Sequence, residues 1–160
     1  MTRVDVYLGL GSNEGEREMF LLRAMNLLDE AFGMHPERIS RIVTSPAWGF
    51  EGSDFLNLCV RYRLPQQGSP EEHATWILDQ VKSVEKALGR KEEAIFDEQG
   101  QRIYHNRPID IDILCYGAHR IETDRLTVPH PLIGQRDFVK KPLLDISKPG
   151  IRTAFPEIFA

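Results

Sequence analysis

Residues 55–64 read Phe-Leu-Asn-Leu-Cys-Val-Arg-Tyr-Arg-Leu, and this alternation limits the chain's options more than any other feature. Leu56, Leu58, Val60, Tyr62 and Leu64 share one side, while Phe55, Asn57, Cys59, Arg61 and Arg63 share the other. A period of two over ten residues is a strand with one face against a core. Three more segments read as strands: 4–10, with Val4, Val6, Leu8 and Leu10 on one face; 38–45, ended by Pro46; and 109–114, Ile-Asp-Ile-Asp-Ile-Leu.

Helical spacing separates these strands in two places. Phe20, Ala24, Leu27, Leu28 and Ala31 follow a capping-type Asn13-x-x-Glu16 and stop at Gly33. Ile77, Val81, Val84 and Leu88 follow Ser69-Pro70-Glu71-Glu72, which sets a cap, a first-position proline and an acid at the third, and stop at Gly89. The order β-α-β-β-α-β predicts an α+β, ferredoxin-like sandwich: an antiparallel sheet with both helices on one face. No linker or repeat divides the 160 residues, so one domain over 1–160 is expected. Phe55, Asn57, Asp110 and Asp112 then meet on the side the helices leave bare. Residues 90–107 form a long polar loop, and residues from 117 on read as turn-rich with apolar pieces at 138–139 and 143–144.

Asp110 and Asp112, i and i+2 on a strand, lie about 6.6–6.8 Å apart on one face. Two carboxylates so placed suit magnesium, which takes oxygen ligands and often shares them with substrate phosphates. Gly9-Leu10-Gly11-Ser12-Asn13-Glu14 lacks the third glycine of a dinucleotide fingerprint, and no Gly-Lys-Ser/Thr occurs, so a nucleotide must be held without either loop. Gly9 and Gly11 instead suit a tight turn and close backbone approach. Arg90, Arg107, Arg125 and Arg136 sit near loop ends, where guanidinium forks match phosphate oxygens. Trp48, Phe50, Phe55, Tyr104 and Phe138 could stack on a flat heterocycle.

Net charge is −4, and the first eighty residues hold 7 basic against 12 acidic side chains, the second eighty 13 against 12. That balance excludes a nucleic-acid footprint and favours a small anionic ligand. No run approaches the ~20 apolar residues of a membrane span. An acid at position 5 interrupts any signal-like start, so a cytoplasmic location is expected, with Cys59 and Cys115 reduced in the core.

Together the segments Leu10-Gly11-Ser12-Asn13, Ser45-Pro46-Ala47-Trp48-Gly49, Asp54-Phe55-Leu56-Asn57, Arg107-Pro108-Ile109-Asp110-Ile111-Asp112-Ile113-Leu114 and Leu126-Thr127-Val128-Pro129-His130-Pro131 through Arg136-Asp137-Phe138 resemble the 6-hydroxymethyl-7,8-dihydropterin pyrophosphokinases. The resemblance implies transfer of the β,γ-pyrophosphate of ATP to the pterin hydroxymethyl group, with two magnesium ions on Asp110 and Asp112 and with Arg90 and Arg107 on the phosphates. It places Glu85, Ile113, Thr127, His130 and Arg136 on the nucleotide side, to which Arg125 is added. Ser45, Pro46, Trp48, Phe55, Asn57 and Phe138 fall on the pterin side. A monomer acting on small molecules is expected. The competing readings are an RNA-stacking module and a ligand sensor on the same topology.

Overall fold

A computed structural model describes residues 2–46, 54–89, 95–96, 98–100, 102–103 and 108–159. In chain order it has β1 (Arg3–Ser12), α1 (Arg17–Phe32), β2 (Arg38–Ile39), β3 (Val43–Ser45), β4 (Phe55–Pro65) and α2 (Pro70–Ala87). Then come β5 (Ile95–Phe96), β6 (Arg102–Ile103), β7 (Asp110–Tyr116), β8 (Ile121–Glu122) and β9 (Thr127–Val128). A 3-10 turn (Ile133–Gln135) leads to α3 (Asp137–Ile146), α4 (Pro149–Ala154) and α5 (Pro156–Phe159).

The main sheet runs β2-β4-β1-β7, with β3 also on β4, and every pairing is antiparallel. Counting β2 and β3 as one interrupted strand, this is the 4-1-3-2 order of the expected ferredoxin-like sandwich. The strand expected over 38–45 breaks at Ser40. Its N–H donates to the Cys59 carbonyl (2.8 Å) while its hydroxyl accepts from the Cys59 N–H (2.8 Å). The side chain thus takes the place of a ladder carbonyl. Residues 40–42 face only 58–59 between the pairs Ile39↔Val60 and Val43↔Asn57, a one-residue bulge.

Both crossover helices share one face. Leu21, Ala24 and Leu28 of α1 and Ala74, Ile77, Val81 and Val84 of α2 bury against Val4, Val6, Leu8, Leu10, Leu58, Val60, Tyr62, Leu64, Ile111 and Ile113. Each large aliphatic removed from water there contributes about 1.5–3 kcal/mol. Helix α2 starts with the expected capping box of Ser69 and Glu72. Helix α1 does not: Glu16, not Asn13, is its cap residue and makes no side-chain cap bond. Its stop is as expected, with Gly33 at φ 70° returning its N–H to the Asp29 carbonyl.

The opposite face is not bare throughout. Tyr7, Cys59, Leu114 and Cys115 are buried beneath Ile133, Leu143, Ile146, Ile151, Phe155 and Ile158. The residues expected to be turn-rich form α3, α4 and α5 and roof that half of the sheet. Within the expected 90–107 loop, β5 and β6 pair as a short ladder, Ile95↔Ile103 and Phe96↔Arg102. Among the described residues no helix is long and apolar enough to cross a membrane.

Candidate functional site

The half of the face that the C-terminal helices leave open holds a cleft. Its floor is Gly9 and Gly11, both inside the extended β1 and not in the turn expected for them. Register fixes what stands on either side: Gly11 lies between Asn57 and Asp110, and Gly9 between Cys59 and Asp112. A Cβ on Gly11 would stand 3.1 Å from Asn57 Oδ1 and 3.4 Å from the Phe55 ring; one on Gly9 would meet Leu114 at 3.3 Å. Two strand spacings of about 4.8 Å thus separate an amide wall from an acid wall, and β1 itself raises no side chain between them.

The amide wall is rigid. Asn57 Nδ2 donates to the Val43 carbonyl (3.0 Å) and to Ser45 Oγ (2.9 Å), and both side chains are buried. This leaves Asn57 Oδ1 over Gly11 as an acceptor fixed in direction. Phe55 and Pro46 extend that wall. From above, α3 contributes Phe138 and Val139, with Arg136 at its N-terminus, the guanidinium carbon 5.9 Å from the Phe138 ring centroid.

On the acid wall, Asp110 and Asp112 are half-buried and line the cleft, while Ile111 and Ile113 alternate into the core. Glu85 holds this strand from behind. Its carboxylate is buried on α2, and Oε2 accepts the Ile111 N–H at 2.9 Å on the sheet's outer edge. Expected on the nucleotide side, Glu85 is placed by the structure behind β7, where it satisfies the outer-edge N–H of the residue between the two aspartates. The donor set fits magnesium: two carboxylates of one strand, in an open cleft that leaves room for phosphate oxygens and water. Among the described residues no cluster of three or more His, Cys, Asp or Glu could hold a metal alone.

Of the other described nucleotide-side residues, only Arg136 lines this cleft. Thr127 and His130 line a neighbouring depression with Arg120 and Glu157. His130 donates its backbone N–H to the Leu114 carbonyl (2.8 Å) and accepts the Leu132 N–H at Nδ1 (3.2 Å), so in the neutral ring Nε2 carries the proton. Burial, then the Arg136 charge, lowers its pKa, and Asp110 opposes them. Arg125 pairs instead with Asp79 on the exposed side of α2 (2.7 Å), and the Ile113 side chain lies in the core. Trp48, Arg90 and Arg107 lie outside the described residues, as do Phe50 and Tyr104. The site residues missed in the sequence are Leu114, Cys59 and Val139, all lining the cleft. Cys59 and Leu114 stand next to the glycines across the ladder. A glycine at every second position on the polar side of a strand was the available signal.

The sequence of the 7,8-dihydro-6-hydroxymethylpterin-pyrophosphokinase family matches residues 7–148. The 2-amino-4-hydroxy-6-hydroxymethyldihydropteridine pyrophosphokinase of Aquifex aeolicus is 41% identical over 145 residues, 88% of this chain and 79% of its own. The Bacillus subtilis enzyme of the same name is 33% identical over 141 residues, 88% of this chain and 76% of its own. A crystal structure of an HPPK-DHPS in complex with substrates superposes with a TM-score of 0.63 at 14% identity. It covers 98% of this chain, which spans 43% of that longer one, and at this identity it supports the fold alone. Two aligned relatives, a matching family over most of the length and a cleft built from the shared segments lead to one conclusion: the chain belongs to the 7,8-dihydro-6-hydroxymethylpterin-pyrophosphokinase family.

Proposed function

We propose that the glycine-floored cleft is where this chain performs its family's reaction. That reaction moves the β,γ-pyrophosphate of ATP to the hydroxymethyl group of 6-hydroxymethyl-7,8-dihydropterin, releasing AMP, in folate biosynthesis. The observation that carries the assignment is the juxtaposition across Gly9 and Gly11 of a fixed amide-and-aromatic wall and a pair of carboxylates. Phe55 and Phe138 take the two faces of the pterin ring. Asn57 Oδ1, held by the bonds from Nδ2, accepts from the ring's amino edge, and Ser45 and Pro46 close that side. Trp48 is assigned to the same pocket from the family pattern.

Asp110 and Asp112 would hold two magnesium ions, which when bound neutralise phosphate charge as it shifts toward the leaving AMP. The protein's own part is positioning. The strand fixes both acids on one side of the pterin, so that its hydroxymethyl group and the phosphates approach along the floor. Arg136, with Arg90 and Arg107 from the family pattern, supplies fixed positive charge around the phosphates. Thr127, His130, Ile113 through its backbone, and Arg125 are assigned to the nucleotide side. All of these roles fall in one domain, and we place the protein in the cytoplasm as a monomer.

Product analysis tests the reading. Purified protein with ATP, magnesium and the pterin should form AMP in step with pterin pyrophosphate. ADP would make it a single-phosphoryl kinase, and ligand binding without nucleotide consumption would make it a sensor.

A further inference from the structure

Helix α3 has two ends with different duties. Its N-terminal end carries Arg136 and Phe138 to the cleft. Its C-terminal end must find partners for carbonyls that no further helical turn can satisfy. The usual left-handed glycine is absent, since Ser147 follows in extended conformation. Three arginines from other elements do the work. Arg152 of α4 donates from Nη2 to the Leu144 carbonyl (2.9 Å), and Arg38 of β2 from Nη2 to the Asp145 carbonyl (3.3 Å). Arg61 of β4 donates from Nη1 to the Ile146 carbonyl, and its Nη2 lies 3.6 Å from Glu37. Arg41 adds an ion pair to the Asp145 carboxylate at 3.0 Å.

Arg61 is the best placed of the three, with a side chain only 11% exposed. Next to it, Lys148 donates its N–H to the Tyr7 hydroxyl (3.1 Å) and pairs with Asp5 (2.9 Å). Cations at a helix C-terminus also meet the negative end of its dipole. At the other end, Arg136 gives no side-chain cap, and Pro142 has no N–H to return to the Phe138 carbonyl. The helix is thus bolted to β2 and β4 at one end, while toward the other the Arg136 carbonyl accepts the Val139 and Lys140 N–H groups at 2.9 Å and the Phe138 carbonyl lacks its bond from position 142.

We propose that Arg61, assisted by Arg38 and Arg152, is a positioning residue for the cleft: by clamping the last carbonyls of α3 to the sheet it fixes where Phe138 and Arg136 stand, about 12 Å up the helix. This rests on the reading of Phe138 as one wall of the pterin slot. A lysine offers a point charge in place of a planar fork and can reach only one of the two partners of Arg61 at a time.

The test pairs Arg61→Met with Arg61→Lys, varying ATP and pterin separately and following amide exchange over residues 137–141. Arg61→Met should raise the pterin KM about tenfold, the scale of one lost charged hydrogen bond. The ATP KM should rise less than the pterin KM, because Arg90 and Arg107 share the phosphates with Arg136, and exchange at 137–141 should quicken about tenfold. Arg61→Lys should recover part of both. A lowered melting temperature with unchanged pterin KM and unchanged exchange would overturn the proposal, as would equal rises in both KM values. If Arg61→Met fails to fold, Arg152→Ala, which removes an exposed donor, should shift the same two readouts about threefold; no shift overturns it. Wild-type protein that never turns over the pterin would defeat the substrate assignment, and exchange at 137–141 would then decide the clamp by itself.

Discussion

Two halves of one sheet face, cut from the same three strands, have opposite characters. In the closed half, Tyr7 fills the space above β1 between its ladder partners Arg61 and Cys115, Cys59 packs at the border with the cleft, and α3 to α5 form the roof. In the open half, two residues along the same strand, Gly9 and Gly11 fill nothing, and Asn57, Asp110 and Asp112 border the gap. Burial keeps both thiols protonated, that of Cys115 pushed up to about 12, so they serve as inert packing beside the cleft. The cleft arises by removing side chains from a strand that would otherwise be core, then lining the gap with groups fixed from neighbouring strands.

Charge at the open half should have the largest effect. Asp112→Asn keeps volume and strand geometry while removing a negative charge at the position proposed for metal and phosphate. Turnover should fall by about two to three orders of magnitude, with an unchanged circular dichroism spectrum. Near-normal AMP formation by this variant would take Asp112 out of the chemistry.

The floor comes next. Gly11→Ala puts a methyl 3.1 Å from Asn57 Oδ1, and that amide cannot swing away without breaking its bonds to Val43 and Ser45. Pterin affinity should drop by at least about tenfold, on the scale of 1–3 kcal/mol for an overfilled site. Gly134→Ala, whose added methyl meets nothing within 4 Å, serves as the control. If both variants bound the pterin alike in calorimetry, the glycine floor would have no part in the site.

A third pair of variants compares the two cores. Leu28 and Leu143 are both fully buried, one under the crossover helices and one under the C-terminal roof. Truncation of either to alanine should cost about 2–5 kcal/mol in urea unfolding. Leu143→Ala should also raise the pterin KM, because Leu143 lies in α3 between its clamped end and Phe138. Leu28→Ala should leave the pterin KM unchanged. Equal KM values in the two variants would mean that the roof is not coupled to the slot.

These differences also mark what could be read from the sequence. The helix-covered core was legible because Val4 to Leu10 and Leu56 to Leu64 alternate cleanly and α2 carries a full capping box. The open half was legible because Asp110 and Asp112 break the apolar pattern on one face only. The roof was not. Pro142 interrupts the pattern of α3, and α4 and α5, at six and four residues, are too short to show a helical period. The bulges at Ser40 and at Leu114 were hidden for a different reason. Each depends on a partner strand: Ser40 on Cys59, and Leu114 on the space above Gly9, where Tyr7↔Cys115 is followed by Leu8↔Ile113. The family pattern assigns Glu85 to the nucleotide side, and sequence spacing, which puts it on α2, cannot show that its carboxylate reaches the Ile111 N–H.

The smallest expected effect concerns pH, and it draws on both faces. His73, 2% exposed on the helix side, shares a 2.8 Å hydrogen bond between Nδ1 and the Tyr116 hydroxyl, and burial lowers its pKa. His130, on the cleft side, is lowered by burial and then by Arg136, with Asp110 opposing. An unfolded histidine protonates near about 6.5, and both folded ones do so lower. Between those values the unfolded chain binds more protons, so stability rises with pH. Their contribution is fully present above about pH 6.5 and is lost as pH falls through the folded values. Urea unfolding from pH 8 to pH 5 should show this decline, and His73→Asn should reduce its slope. The His73→Asn/His130→Asn double variant should reduce it further, although the two sites lie on opposite sides of the sheet. Addition of the two slope changes is expected for separate sites. A double variant with the wild-type slope would show that neither imidazole is kept neutral by its surroundings.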